Sequence, residues 1–181
     1  KSDIISKELE LYPKIVSKNF EIVNTSQIVL PDDRPSRILK EKPDSSMVKS
    51  INLLNDNIVD AVVSAGNTGC LLASSFFKLG TIKNIKRPAL VAFIPSDNGN
   101  FLICDVGANS SAKPIHLLHF SKMASIYINN HLNIENPKIG LLNIGSEKGK
   151  GNELVKESYI LMQQHLKNFI GNIESRYIFD G

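Results

Sequence analysis

The sequence predicts an α/β protein whose sheet is mostly parallel. Three observations carry this. Apolar segments of strand length recur, and each meets a turn rich in Gly and Asn: residues 59–64 run into Gly66-Asn67-Thr68-Gly69, 101–105 into Gly107-Ala108-Asn109, 138–143 into Gly145, and 169–174 carry Gly171-Asn172. Helical patterns follow most of these turns, and strands alternating with helices build parallel sheets through crossover connections. The 181 residues are 42% hydrophobic and 22% charged, enough apolar material for a sizeable core in a single domain over 1–181.

In chain order, Asp3 caps a short helix over 4–11 that Pro13 stops. Residues 20–23 alternate as a strand, and 27–30 form a second one ended by Pro31. Residues 32–43 form a polar loop with prolines and mixed charge, a solvated surface with binding as a second role. Asp44, Ser45 or Ser46 caps a helix with apolar Met47, Val48, Ile51, Leu53, Leu54 and Ile58. The strand at 59–64 then leads through its turn into a helix over 70–79, with Gly80 as C-cap. No acidic residue lies between Lys78 and Ser96. Lys78, Lys83, Lys86 and Arg87 there form either a solvated basic loop or a landing patch for an acidic partner.

Residues 89–94 predict a buried strand ended by Pro95, and Asp97-Asn98-Gly99-Asn100 is a hairpin signal. This pairs 89–94 antiparallel with 101–105. Pro114 opens a long helix carrying Ile115, Leu118, Met123, Ile126, Tyr127 and Leu132 at helical spacing. A strand over 138–145, a helix from 154 to about 167 and a fourth strand over 169–174 complete the pattern.

The net charge of +3 is too small to argue for nucleic acid. Cys70 and Cys104 belong to no metal-spaced cluster and read as small buried thiols of a reducing compartment. No apolar run approaches the roughly 18 residues needed to span a bilayer, and no signal peptide is visible. A start at Lys1 rather than Met, and an end at the turn-like pair Asp180-Gly181, lead us to expect a piece of a longer chain.

In an open parallel sheet, successive strand ends face one crevice, where ligands bind. The side chains delivered to such an edge are Ser64, Asn67, Thr68, Asp105, Asn109, Asn143, Ser146, Glu147, Lys148, Lys150, Asn152 and Asn172. Many neutral donors, a few lysines and few carboxylates suit an oxyanion or phosphate better than a divalent metal. No nucleophile–base motif is present. His116 and His119 share a helix face, where a structural or surface role is the simpler reading, and His131 and His165 have no supporting context. The glycines match neither the dinucleotide fingerprint nor the P-loop.

Five stretches in order give a more specific signal: Ser64-Ala65-Gly66-Asn67-Thr68-Gly69; Asp105-Val106-Gly107-Ala108-Asn109 with Ala112-Lys113-Pro114; Gly140-Leu141-Leu142-Asn143-Ile144-Gly145 with Glu147; Lys150-Gly151-Asn152-Glu153-Leu154; and Phe169-Ile170-Gly171-Asn172-Ile173-Glu174. Together they closely resemble the phosphate acyltransferase (PlsX) family of bacterial phospholipid synthesis. Asp44-Ser45-Ser46-Met47 and Arg87-Pro88-Ala89-Leu90 add to the likeness. The resemblance implies a three-layer α/β/α sandwich related to isocitrate and isopropylmalate dehydrogenases and to phosphotransacetylases. It implies a fatty acyl thioester of acyl carrier protein as donor, inorganic phosphate as acceptor and no cofactor. A homodimer, cytoplasmic and peripheral at the inner face of the membrane, is what family membership leads us to expect. The family's N-terminal Asp-x-Met-Gly-Gly-Asp type motif and its later Asp-Gly-Phe-x-Gly-Asn type turn are not in this chain, Cys70 stands where Ala is usual, and Pro43 precedes Asp44 where a basic residue is more usual.

On this reading Asn67, Thr68, Asp105, Asn109, Lys113 and Asn143 are the catalytic candidates. Ser64, Gly66, Gly69, Gly107, Gly145, Glu147, Lys150, Asn152, Gly171 and Asn172 line the substrates, and Lys78, Lys83, Lys86 and Arg87 meet the carrier. Asp105 either sets its loop or exchanges a proton. A phosphotransacetylase-like enzyme using coenzyme A and a non-catalytic carrier-binding module are the alternatives. A dehydrogenase of the related fold lacks the carboxylate cluster it would need.

Overall fold

The computed structural model describes residues 2–12, 20–97 and 99–179. It is a mixed α/β chain that divides into two compact units, Lys1–Gly80 and Thr81–Gly181. The stop at Pro13 and the hairpin residue Asn98 lie outside the described residues.

The first unit is helical. Helix α1 spans Ser2–Glu10, with Asp3 in its first turn rather than at the cap, and buries no residue. The stretch 32–43 is more than a solvated loop. A 3-10 turn at Pro35–Arg37 leads into α2 (Ile38–Glu41), and Ile38 is only 2% exposed. Two apolar residues, Ile38 and Leu39, suffice to fold this charged segment down, because each buried aliphatic side chain contributes about 1.5–3 kcal/mol. Helix α3 (Ser46–Asn55) starts where Ser45 Oγ accepts the Val48 N–H at 3.4 Å, so Ser45 is the cap among the three candidates. Asp44 instead accepts Ser26 N–H and Oγ–H at 2.8 and 2.6 Å. Helix α4 (Thr68–Leu79) begins two residues earlier than its periodicity predicts, because Asn67 Oδ1 accepts the Cys70 N–H at 3.0 Å. Ile38, Met47, Val48 and Cys70 form the core, with Val29, Leu39, Leu71 and Ala73 packed around it.

Three strands expected in this unit do not form. Residues 20–23 and 59–64 are unpaired, and 27–30 contribute one parallel bridge, Gln27 to Ser45. A strand exists only where a neighbour takes its N–H and C=O groups. No described residue pairs with 59–64, and Val63 is 99% exposed.

The second unit holds both ladders. Strands β1 (Val91–Ser96) and β2 (Gly99–Cys104) form the expected antiparallel hairpin. Pro95 does not end β1. Ser96 opposite Gly99 is the closing pair, with Ser96 Oγ donating to Gly99 O at 2.6 Å, and Pro95, which brings no N–H to the ladder, stands opposite Asn100. Helix α5 (Pro114–Leu132) packs on β2 and on α6. Strand β3 (Ile139–Asn143), helix α6 (Glu153–His165) and strand β4 (Phe169–Glu174) make a parallel βαβ unit. Its core is Leu118, Leu141 and Met162, ringed by residues that include Ile115, Val155, Tyr159 and Phe169. The two ladders are separate sheets of two strands, one antiparallel and one parallel, rather than a mostly parallel sheet enclosing the hairpin.

The Gly171-Asn172 pair is not a turn after the fourth strand. Both residues lie inside β4, where the register slips between Ile139 and Gly140 so that Gly140 faces Gly171. Gly171 has φ +100, the left-handed backbone that such a bulge demands and that glycine alone adopts without strain.

Candidate functional site

In the first unit the glycine turn is built around Asn67. Its Oδ1 caps α4, while its Nδ2 donates to the carbonyls of Leu30 and Pro31 at 3.2 and 2.7 Å. The side chain that invited an anion-holding role is thus committed to joining two loops. Asp33 secures the same loop: its Oδ2 accepts Leu30 N–H at 2.6 Å and pairs with Lys42 at 2.5 Å, and Lys42 also donates to Ile28 O at 2.7 Å. The Leu30 N–H first, and Lys42 next, hold this carboxyl below its usual range. Sequence reading missed the staple because its partners are 3 to 14 residues apart in an irregular segment.

Ser64 Oγ accepts the Gly66 N–H at 3.2 Å, and Cys70 N–H and Leu71 N–H go to Asn67. The N–H groups of Thr68 and Gly69 are left without a partner among the described residues, at the positive end of a 12-residue helix. They open on a cleft of about 550 Å³ lined by Val29, Pro31 and residues 65–69. A cavity of about 300 Å³ shares Val29, Ala65 and Gly66 with it and adds Ile28, Met47, Val62 and Val63. The glycines also serve packing. A Cβ on Gly66 would stand 2.8 Å from Met47 Cε, and one on Gly69 would stand 2.9 Å from Pro35 Cγ.

In the second unit Asp105 is the organising group. Its Oδ1 accepts the N–H groups of Leu90 and Ala108 at 2.8 and 3.0 Å, and its Oδ2 accepts Asn109 N–H and Nδ2 at 2.9 and 3.0 Å. Burial pushes this carboxyl up, but Asn109 Nδ2 and the three backbone donors outweigh it, so Asp105 stays below the usual carboxylate range. Asn109 Nδ2 also donates to Pro88 O at 2.9 Å. With Gly107 at φ +107, the turn after β2 and the segment before β1 become one rigid piece. Lys113, exposed at the N-cap of α5, donates its N–H to His116 Nδ1 at 3.2 Å.

The loop between β3 and α6 is closed by two asparagines. Asn143 Nδ2 donates to Lys150 O at 3.1 Å, and Asn172 Nδ2 donates to Glu147 O at 2.9 Å. Asn152 caps α6 by accepting Val155 N–H at 3.0 Å. Lys150 lies 3.9 Å from Glu147, and Lys148 stands 5.4 Å over the Tyr159 ring. Beyond Gly145 the loop turns back through Gly151, whose φ is +88 and whose added Cβ would stand 2.6 Å from Asn143 Oδ1. Gly151→Ala is expected to destabilise the unit by about 1–3 kcal/mol and to raise hydrogen exchange of the 144–150 amides, read by exchange mass spectrometry.

The structure therefore brings Asp105, Asn109, Gly107 and Lys113 together, and separately Asn143, Glu147, Lys150, Asn152 and Asn172. Arg87 leaves the open connection: its Nη1 donates to Ser111 O at 2.9 Å. Lys78, Lys83 and Lys86 take part in none of the ion pairs among the described residues.

A mixed α/β chain whose glycine and asparagine turns frame helix starts is what the geometry defines. The chain belongs to the family described as fatty acid synthesis protein, whose profile matches residues 1–181. It is 44% identical over 179 residues to a phosphate acyltransferase of Clostridioides difficile, covering 98% of this chain and 52% of the relative. It is 42% identical over 181 residues to a phosphate acyltransferase of Clostridium tetani, covering 100% and 54%. A phosphate acyltransferase of Desulfitobacterium hafniense is 47% identical over 163 residues, covering 90% and 49%. The chain thus spans about half the length of the curated relatives it matches.

Proposed function

We propose that this chain carries the acyl-transfer machinery of a phosphate acyltransferase. A phosphate oxygen attacks the carbonyl carbon of a fatty acyl thioester on acyl carrier protein, and a tetrahedral oxyanion forms. The C–S bond then breaks, the phosphate proton passes to the departing thiolate, and acyl phosphate and free carrier leave. The thiolate leaves readily, so positioning and charge stabilisation supply most of the rate. The observation that carries this reading is the pair of free N–H groups, Thr68 and Gly69, opening on a cleft with apolar walls. Two N–H groups at a helix start fit an oxyanion or phosphate, and Val29, Pro31 and the adjoining Ile28, Met47 and Val62 fit an alkyl chain.

In this reading Thr68 and Gly69 touch the reacting oxygens. Asn67, Ser64 and Gly66 fix the turn that aims them. Within the second unit, Lys113 and Lys150 are the separate candidates to meet an anion. Asp105 and Asn109 on one loop, and Asn143, Asn152 and Asn172 with Gly145 and Glu147 on another, hold those lysines in place. On the family resemblance, the whole protein is a three-layer α/β/α homodimer of the cytoplasm, peripheral at the membrane. No described helix is long and apolar enough to cross a bilayer.

The test is acyl phosphate formation by the full-length protein, with acyl carrier and coenzyme A thioesters compared. Product from the carrier thioester supports the reading. Product only from coenzyme A replaces it with a phosphotransacetylase, and carrier binding without product replaces it with a binding module. Lys83 and Lys86, exposed in an acid-free connection of the second unit, are assigned to an acidic carrier along with Arg87. Reversing both to Glu is expected to raise the carrier-substrate KM about tenfold at low salt, and less at high salt. An unchanged KM at low salt removes the patch.

A further inference from the structure

The second unit gathers basic groups at the start of α5 without a carboxylate to balance them. Arg87 is tied to Ser111 O, and Pro88 O is tied to Asn109, so the segment bearing Lys86 and Arg87 is stapled to the one that ends at Lys113. Between Lys78 and Ile134 the acidic residues are Asp97 and Asp105. Four N–H donors already fill the Asp105 carboxylate. None of the four ion pairs among the described residues involves Lys86, Arg87 or Lys113.

Inside this basic collar sits His116, only 6% exposed. Its Nδ1 accepts the Lys113 N–H, so the neutral ring carries its proton on Nε2, and no described residue accepts that proton. His119, one turn further on, has its Nδ1 buried without a partner among the described residues. Burial first, and then Arg87, Lys113, His119 and Lys86, hold His116 below its ordinary value. An N–H donor on a largely buried ring, with three cations acting on it, is complementary to a compact, multiply charged anion.

We propose that Lys86, Arg87, Lys113 and His116 form a binding site for a phosphate group, with His116 Nε2–H donating to a phosphate oxygen and the three cations offsetting its charge. The inference rests on the acyl-transfer reading for the source of that phosphate and adds His116, which that reading does not use. The group is either the free phosphate acceptor or the phosphodiester of the carrier's thiol-bearing arm.

The experiment follows the His116 ring by NMR in the full-length protein, assigned with His116→Gln, during titration with inorganic phosphate and separately with dimethyl phosphate. Occupancy is expected to raise the His116 titration midpoint by about one pH unit or more, because a nearby anion favours the imidazolium. Lys113→Gln, at an exposed position that leaves the Asn109–Pro88 staple intact, is expected to weaken phosphate binding about tenfold, and Arg87→Gln by a similar factor. A response to inorganic phosphate alone makes this the acceptor site, and a response to the diester as well makes it the site of the carrier's arm. If neither probe moves His116 in a protein that forms acyl phosphate, the site is wrong and the reaction stands. If phosphate moves His116 in a protein that forms no acyl phosphate, the reaction is wrong and the site stands.

Discussion

Asn67→Ala in the full-length protein is expected to lose about 2 kcal/mol of stability and about 100-fold in the rate of acyl phosphate formation. The stability loss follows from its three bonds. The cap to Cys70 N–H contributes about 1 kcal/mol, and the bonds to the Leu30 and Pro31 carbonyls contribute about 0.5–1 kcal/mol each near the surface. The rate loss follows from what Asn67 aims. Without the cap the first turn of α4 frays, and a displacement of about 1 Å in Thr68 and Gly69 costs about 100-fold. Asn67→Asp separates the two functions. It keeps an oxygen for the Cys70 N–H but sets a carboxylate oxygen against the two carbonyls, so the cap survives while the loop is repelled. Urea unfolding and initial-rate assays on both variants give the answer. Wild-type kcat with Asn67→Ala would remove the α4 turn from the reaction.

The elements most legible in the sequence were those whose signals are local. Ser45 is one of three adjacent cap candidates for α3, Pro114 opens α5, and the hairpin follows from turn residues between two apolar runs, whereas the caps Asn67 and Asn152 read as ligand contacts. The illegible ones depend on partners distant in sequence. Residues 59–64 have the composition of a buried strand, yet composition cannot supply the neighbouring strand that makes a ladder. The bulge in β4 escaped because Gly-Asn is read as a turn when the opposing residue, here Gly140, is unknown.

For the candidate residues, hydrogen-bonding type was legible and hydrogen-bonding partner was not. The asparagines were chosen as hydrogen-bond donors for a ligand, and they are donors, but to loop carbonyls: Asn67 to Leu30 and Pro31, Asn109 to Pro88, Asn143 to Lys150 and Asn172 to Glu147. Sequence reveals which groups can donate. It does not reveal that a carbonyl many residues away will reach the amide first.

Asp105→Asn is expected to destabilise the protein by about 3 kcal/mol at neutral pH and to flatten its loss of stability in acid. The carboxylate accepts four N–H bonds, whereas asparagine keeps one acceptor oxygen and turns an NH₂ toward the Asn109 donors. Two charge-assisted bonds are lost, at about 1.5–3 kcal/mol each, with some relief by rotation. The pH dependence has a definite sign. Asp105 has a folded value below its ordinary one, so it binds fewer protons folded than unfolded through the intervening range. Its stabilisation is complete above about pH 5 and disappears as pH falls through the lowered folded value. Asp33 and Asp44 are lowered by their own hydrogen bonds and act in the same direction, so the variant keeps a shallower slope rather than none. A cycle of Asp105→Asn with Asn109→Ala is expected to show coupling of about 1 kcal/mol or more, because both act on one pin between 88–90 and 105–109. A proton-transfer role predicts the opposite pattern: kcat and its pH profile change while urea midpoints stay at wild type. Four filled acceptor positions on a carboxylate already held low leave it poorly suited to take a proton at neutral pH, and commit it to holding the loop 105–109 against Leu90.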